Sequence, residues 1–187
     1  MPGGATVQAR VVFSQLMEDL PGALASDLDA SFQSVVERMG PRVYWGLRRM
    51  YNNHQEAEDL TQETFIRAYK ALSGYDTNRI RDMEVEPWIW TIALNLGRNH
   101  MRDRARRPTY VELVETGETD PEMIDGAAWD RRFSELNRHQ RTAVALRHVV
   151  GLSIGQIAQA TGRPEGTVKA DIHRGLGRLK TIMEEEG

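Results

Sequence analysis

An all-α protein is the fold class this sequence predicts, and three observations predict it. Apolar residues recur at helical spacing while extended apolar–polar alternation is scarce. Ser153 followed by Gln156 is a capping-box pattern ahead of an apolar run. Gly and Pro punctuate the periodic segments at Ser73-Gly74, Pro87, Pro108, Gly151 and Gly162. With 187 residues, 40% hydrophobic and 27% charged, the chain has room for two small soluble domains. We expect a variable N-terminal extension over 1–26 and a helical domain over 27–108. An acidic linker over 109–129 and a second helical domain over 130–187 follow.

The extension is polar and irregular. Its short apolar patch lacks the basic flank and cleavage site of a signal peptide. Two helices follow, "SDLDASFQSVVERM" and "RVYWGLRRMY", with a break expected at Gly40-Pro41, because Pro removes a helix hydrogen bond and clashes with the preceding turn. "QEAEDLTQETFIRAYKAL" forms the next helix. On it Asp59, Gln62, Glu63 and Ile66 share one face, and Leu60, Thr64, Ala68 and Leu72 line another. Periodicity alone favours a solvated face with one exposed Ile over a docking surface. The polar loop "YDTNRIRDMEVE" leads to Pro87, which is suited to a first helical turn.

"PWIWTIALNLGRNHMRDRARR" is aromatic and apolar at its start and basic at its end. Arg98, Arg102, Arg104, Arg106 and Arg107 are opposed only by Asp103. The helix dipole accounts for some of these cations, and five exceed that need, which favours a surface tracking a nucleic-acid backbone. Trp88, Trp90 and Tyr75 are candidates for stacking an exposed base. Trp88 and Trp90, two apart, cannot share a helix face, so at least one belongs to the core.

Charge is segregated beneath the net value of -3. From Thr109 to Leu136 eight acids face two arginines, leaving -6. From Asn137 to the acidic tail eight bases face Glu165 and Asp171, leaving +6. A basic module behind an acidic tether is compatible with nucleic-acid binding. In that module Ala143, Leu146 and Val150 give the first helix its apolar face, and Gly151 ends it. Ile154, Ile157 and Ala158 form the stripe of the next helix. Gly162 supplies the left-handed residue of a tight turn, and Val168, Ile172, Leu176 and Leu179 are expected to form the inner face of the last helix. This is helix-turn-helix spacing. Periodicity leaves a DNA-reading helix and a plain three-helix bundle with a basic face evenly matched.

No cysteine is present, which excludes disulfides and thiolate metal sites and fits a cytoplasmic protein. The five histidines form no HxxxH pair, no zinc site or cofactor is expected, and no apolar run is long enough to span a bilayer.

"AEDLTQETFIRAY", "PWIWTIALNLGRNHMRDRARR" and "LNRHQRTAVALRHVVGLSIGQIAQATGRPEGTVKADIHRGLGRL", in this order, resemble the extracytoplasmic-function (ECF) group of sigma-70 factors, over roughly residues 28–182. The resemblance implies a non-catalytic bacterial sigma factor that retains regions 2 and 4. Such a factor binds core RNA polymerase through the beta-prime clamp helices and the beta flap, recognises -35 and -10 promoter DNA, and starts strand opening. It implies a polymerase-docking role for Asp59, Gln62, Glu63 and Ile66, overturning the solvated-face reading. Tyr75, Trp88, Arg98, Asn99, Arg102 and Arg106 would serve the -10 element. Arg163, Thr167, Lys169, Ala170, His173 and Arg174 match the positions facing the -35 element. The linker resembles the segment that threads polymerase near the RNA exit path, and many relatives are held by an anti-sigma factor.

Four departures stand out. Gln156 replaces the usual Glu, and Asn99 often corresponds to an acid. Gly175 and Gly177 replace the usual Ala and Arg, each costing about 1 kcal/mol of helix propensity. Asp82, Glu84 and Glu86 add phosphate-repelling charge before Pro87. A stand-alone helix-turn-helix regulator is the alternative, but it leaves the front helices unassigned. An all-α metal-dependent hydrolase using Glu56, Asp59 and Glu63 lacks a facing carboxylate helix and an identifiable base.

Overall fold

The computed structural model describes residues 20–106 and 126–186, and every regular element in them is helical. A front unit comprises α1 (Leu20–Ser26), α2 (Leu28–Tyr51), α3 (His54–Leu72), α4 (Thr77–Arg81) and α5 (Val85–Arg106). Short polar side chains start its helices by satisfying backbone N–H groups that lack a partner in the first turn. Asp27 accepts from the Ala30 N–H at 3.1 Å, Asn53 from Glu56 at 2.9 Å and Asp76 from Arg79 at 3.0 Å. Asn52, at φ 54°, closes α2 in the left-handed conformation that Asn tolerates better than most residues.

Four expectations change here. Gly40-Pro41 does not break the chain: α2 runs through Pro41. Met39 and Val43, almost wholly buried on either side, hold the helix in the core despite the missing donor. The polar loop contains a helical turn, α4, whose Ile80 is buried. α5 starts at Val85 rather than Pro87, which leaves Pro87 within the first turn, where an absent N–H forfeits no helical bond. α1 occupies the end of the expected irregular extension, with Leu20 and Leu24 buried. The rest of that extension lies outside the described residues.

The rear unit comprises α6 (Gly126–Ser134), α7 (Arg138–Val144), a π-helical turn (Ala145–Val150), α8 (Ile154–Thr161) and α9 (Glu165–Glu186). Most of the expected acidic linker, like Arg107, lies outside the described residues. Its last four positions belong to α6, where Trp129 meets Phe133 edge-to-face at 6.2 Å. Gly151, at φ 90°, ends the π-helical turn as the sequence predicts.

The two units meet along a seam. Gly46 is the close-approach point: a Cβ there would lie 2.5 Å from Trp90 and 2.8 Å from Val150. Arg42 donates to the Val150 carbonyl through Nε at 3.1 Å and Nη2 at 2.5 Å. Asp130 of α6 bridges Arg48 at 2.6 Å and Arg49 at 2.5 Å. Arg141 donates to the carbonyls of Ser134, Leu136 and Met50 at 2.8, 3.0 and 3.3 Å, tying α7 to the front unit. One apolar core therefore runs from α2, α3 and α5 into α7, α8 and α9.

Candidate docking and nucleic-acid interfaces

The outer face of α3 borders an open groove of about 750 Å³ shared with α2. Leu60, Thr64, Ala68 and Leu72 are buried as expected, with the Thr64 hydroxyl capping the Leu60 carbonyl at 2.6 Å. That packing turns Asp59, Gln62 and Ile66 outward and leaves Glu63 half-buried. Ile66 is not a solitary exposed residue. At 41% exposure it lies in the same groove as Val36 (37%) and Tyr69 (38%). Phe32 supports the floor, edge-on to Phe65 and Tyr69 at 6.4 and 5.2 Å. Charge lines the rim, where Gln55 bonds Asp59 at 3.1 Å beside Glu58, while Arg67 pairs with Glu63 at 2.6 Å outside the groove. The arrangement offers an apolar strip within an acidic margin, suited to another protein's helix rather than to DNA.

The carboxylates weighed for a metal site do not converge. Glu56 is held by Arg104 and by His100 at 3.4 Å, and Glu63 by Arg67. Among the described residues no cluster of three or more His, Asp or Glu could hold a metal ion.

The second surface spans α4 and α5. Tyr75 and Trp88 come together at 6.0 Å, tilted by 60°, and both are half-buried. The Arg79 guanidinium lies 3.5 Å from the Tyr75 ring centre, a cation–π contact. Trp90 is the core member of the tryptophan pair, with no exposed surface. Arg98, Asn99, Arg102 and Arg106 are exposed and fall on one side of α5. Arg98 is bonded to Asn95, and Arg102 donates to Asn99 at 3.2 Å. Arg104 points elsewhere, to Glu56 of α3, so it joins two helices of the front unit. Glu86 turns inward to Arg42 at 2.6 Å. Burial pushes its carboxyl above the ordinary value against the pull of Arg42, and the inward turn directs it to that arginine rather than to a phosphate. Asp82 and Glu84 stay exposed.

The third surface is the helix-turn-helix. The Ser153–Gln156 capping box forms in both directions, at 3.2 and 2.8 Å, so Gln in place of Glu keeps the cap. Gly162, at φ 67°, ends α8, and Arg163-Pro164 leads straight into α9. Lys169, His173 and Arg174 are exposed, while Thr167 and Ala170 are half-buried on the same outer arc. Lys169 pairs loosely with Glu165 at 3.8 Å. Arg163 is half-buried and faces the cleft between the units, alongside Tyr51, Arg98 and Arg138.

The inner face of α9 differs from expectation. Val168 and Leu179 are buried, but Leu176 is 40% exposed, and the stripe continues through Asp171, Gly175 and Ile182. Gly175 explains the rotation. A Cβ there would lie 2.7 Å from Val144, so its absence lets α9 press its glycine side onto α7. Gly177 faces open space. Asp171, 4% exposed, accepts from Arg163 and, at 2.8 Å, from Arg174. Sequence reasoning counted Asp171 only as a charge. An acid three residues after Val168 and four before Gly175 was the available signal.

Family models match both units: "Sigma-70 region 2" over residues 35–107 and "Sigma-70, region 4" over residues 127–179. The ECF RNA polymerase sigma factor SigE of Mycolicibacterium smegmatis is 32% identical over 163 residues, covering 82% of this chain and 62% of the relative. The ECF RNA polymerase sigma factor SigW of Bacillus subtilis is 31% identical over 178 residues, covering 85% of this chain and 91% of the relative. The chain therefore spans less than two thirds of the first relative's length and nearly all of the second's. Among solved structures, CnrH in complex with the cytosolic domain of CnrY aligns with a TM-score of 0.70 at 23% identity. That alignment covers 91% of this chain and 98% of CnrH, a likeness of fold.

Proposed function

This chain belongs to the ECF group of sigma-70 RNA polymerase sigma factors, and from that premise we propose how it divides promoter-directed initiation among its surfaces. The α3 groove, with Asp59, Gln62, Glu63 and Ile66, docks the beta-prime clamp helices of core polymerase. Tyr75 and Trp88 receive an unstacked base of the -10 element, while Arg98, Asn99, Arg102 and Arg106 hold the strand backbone. The outer arc of α9 enters the major groove of the -35 element. Lys169 neutralises phosphate, and Thr167, Ala170, His173 and Arg174 approach the base edges. Arg163, drawn toward the seam, serves that helix from behind.

The observation that carries this reading is the pairing, in one chain, of an exposed apolar groove with two separate cationic helical faces. A stand-alone operator-binding regulator has no use for the groove. The role involves no reaction of its own and places the protein in the cytoplasm. Among the described residues no helix is long and apolar enough to cross a membrane. An anti-sigma factor is a further partner we propose, on the analogy of the sigma factor RpoE of Bartonella quintana, whose solved structure contains the anti-sigma factor NepR.

Run-off transcription with purified core polymerase on a promoter library tests the proposal. Selection of defined start sites only when this chain is added is the expected result. A chain that forms no complex with sigma-free polymerase and selects no start site overturns it.

A further inference from the structure

We propose that Asp171 is a positioning residue for promoter reading, holding the Arg174 guanidinium in place on α9 while Arg163 balances its charge. The proposal rests on the reading of α9 as the -35 helix. A buried, ionised carboxylate is costly, and an apolar residue would fill a helix stripe with less penalty. The stripe around Asp171 is otherwise Val168, Gly175, Leu179 and Ile182. The carboxylate is therefore not explained by packing.

Its two partners come from opposite sides. Arg163 reaches in from the turn between α8 and α9, and Arg174 from the outer edge of α9, one turn beyond Asp171. The Arg163 side chain is 27% exposed and the Arg174 side chain 58%. The inner arginine thus provides a counter-charge and a tie to the turn, while the outer one remains available. The trio carries a net formal charge of +1, so even with the acid it attracts a phosphate backbone. A guanidinium has five N–H donors, and the Asp171 bond engages one of those of Arg174, leaving others for the acceptors of a guanine edge. Arginine loses much rotamer freedom when it binds. A side chain already held loses less, and the gain appears as discrimination between bases rather than as general attraction to DNA.

The test uses the full chain with core polymerase and promoters carrying every single-base change in the -35 element. Arg174→Ala should flatten the preference at one position by about tenfold, the scale of removing a bidentate pair with a base. Asp171→Asn, the same shape without the charge, should flatten that same position several-fold and leave the others intact. The double variant should be no worse there than Arg174→Ala. A uniform loss across all positions with Asp171→Asn, or no change while Arg174→Ala flattens one, overturns the positioning role. If Arg174→Ala flattens no position, the reading of α9 falls and the proposal falls with it.

A second measurement needs no substitution. By NMR relaxation, the Arg174 Nε–H of the unmodified chain should be as restrained as the α9 backbone. An Nε–H as free as that of exposed Arg106 overturns the proposal even if Asp171→Asn does not fold.

Discussion

The outer faces of α3 and α9 are built alike, and we propose that they address different partners. Each belongs to an amphipathic helix with an inner stripe at i, i+3, i+4 spacing, and each carries ionisable side chains outside. The difference lies in what stands beside and beneath them. α3 is flanked by Val36 and Tyr44 of α2, so Ile66 joins an apolar groove with a charged rim. α9 has a buried acid in its stripe, so Arg174 on its exposed side is tied to the fold from below. Composition of the exposed face alone does not separate a protein-docking helix from a DNA-reading one; the neighbouring helix and the buried stripe do.

Placing a charge in the groove should break this contrast most severely. Ile66→Glu desolvates an unpaired carboxylate in an apolar contact, at a cost of roughly 2 kcal/mol or about thirtyfold in affinity. A binding titration with core polymerase checks it, and Arg174→Ala in the same titration should leave the affinity unchanged. Next in size, Lys169→Ala combined with Arg174→Ala should lower -35-dependent transcription about tenfold while core binding survives. The salt dependence of promoter binding should also become shallower, by a slope of about 1 for each phosphate no longer neutralised.

The two glycines of α9 sharpen the comparison within one helix. Gly175→Ala forces Val144 aside and should cost about 1 kcal/mol net, the strain exceeding the gain in helix propensity. Gly177→Ala meets nothing and should stabilise by up to about 1 kcal/mol. Thermal unfolding of the pair, with midpoints moving in opposite directions, checks both.

The smallest effect concerns Glu86. Its carboxyl holds a proton more tightly in the folded chain than in the unfolded one, so this group's contribution is complete below the ordinary value of 4.5 and declines as pH rises through the raised folded value. Glu86→Gln removes that decline, and the difference in unfolding midpoint between pH 4 and pH 7 should shift in favour of the neutral end.

Much of this was legible in the sequence because local rules were obeyed. The Ser153 cap, the left-handed Gly151 and Gly162, and the Leu60–Leu72 stripe all follow from short-range patterns. The failures came where tertiary contacts override such rules. Pro41 is held inside α2 by the burial of Met39 and Val43, and Leu176 is turned outward by the close approach at Gly175. The candidate positions were visible as faces, but the roles of individual cations were not. Arg104 looks like its neighbours in sequence and joins α5 to α3 in space. Arg42, Arg48, Arg49 and Arg141 link the units through Asp130, Met50 and Val150, partners about 80 or more residues away, distances no periodicity encodes.

The contact of Gly46 with both Trp90 and Val150 has a thermodynamic corollary. Because side chains of the front and rear units interlock there, neither should melt independently, and a calorimeter should record a single heat-absorption peak for the described body. A fault introduced at Trp90 would then be felt as faster amide exchange in α8, far along the chain from the altered residue.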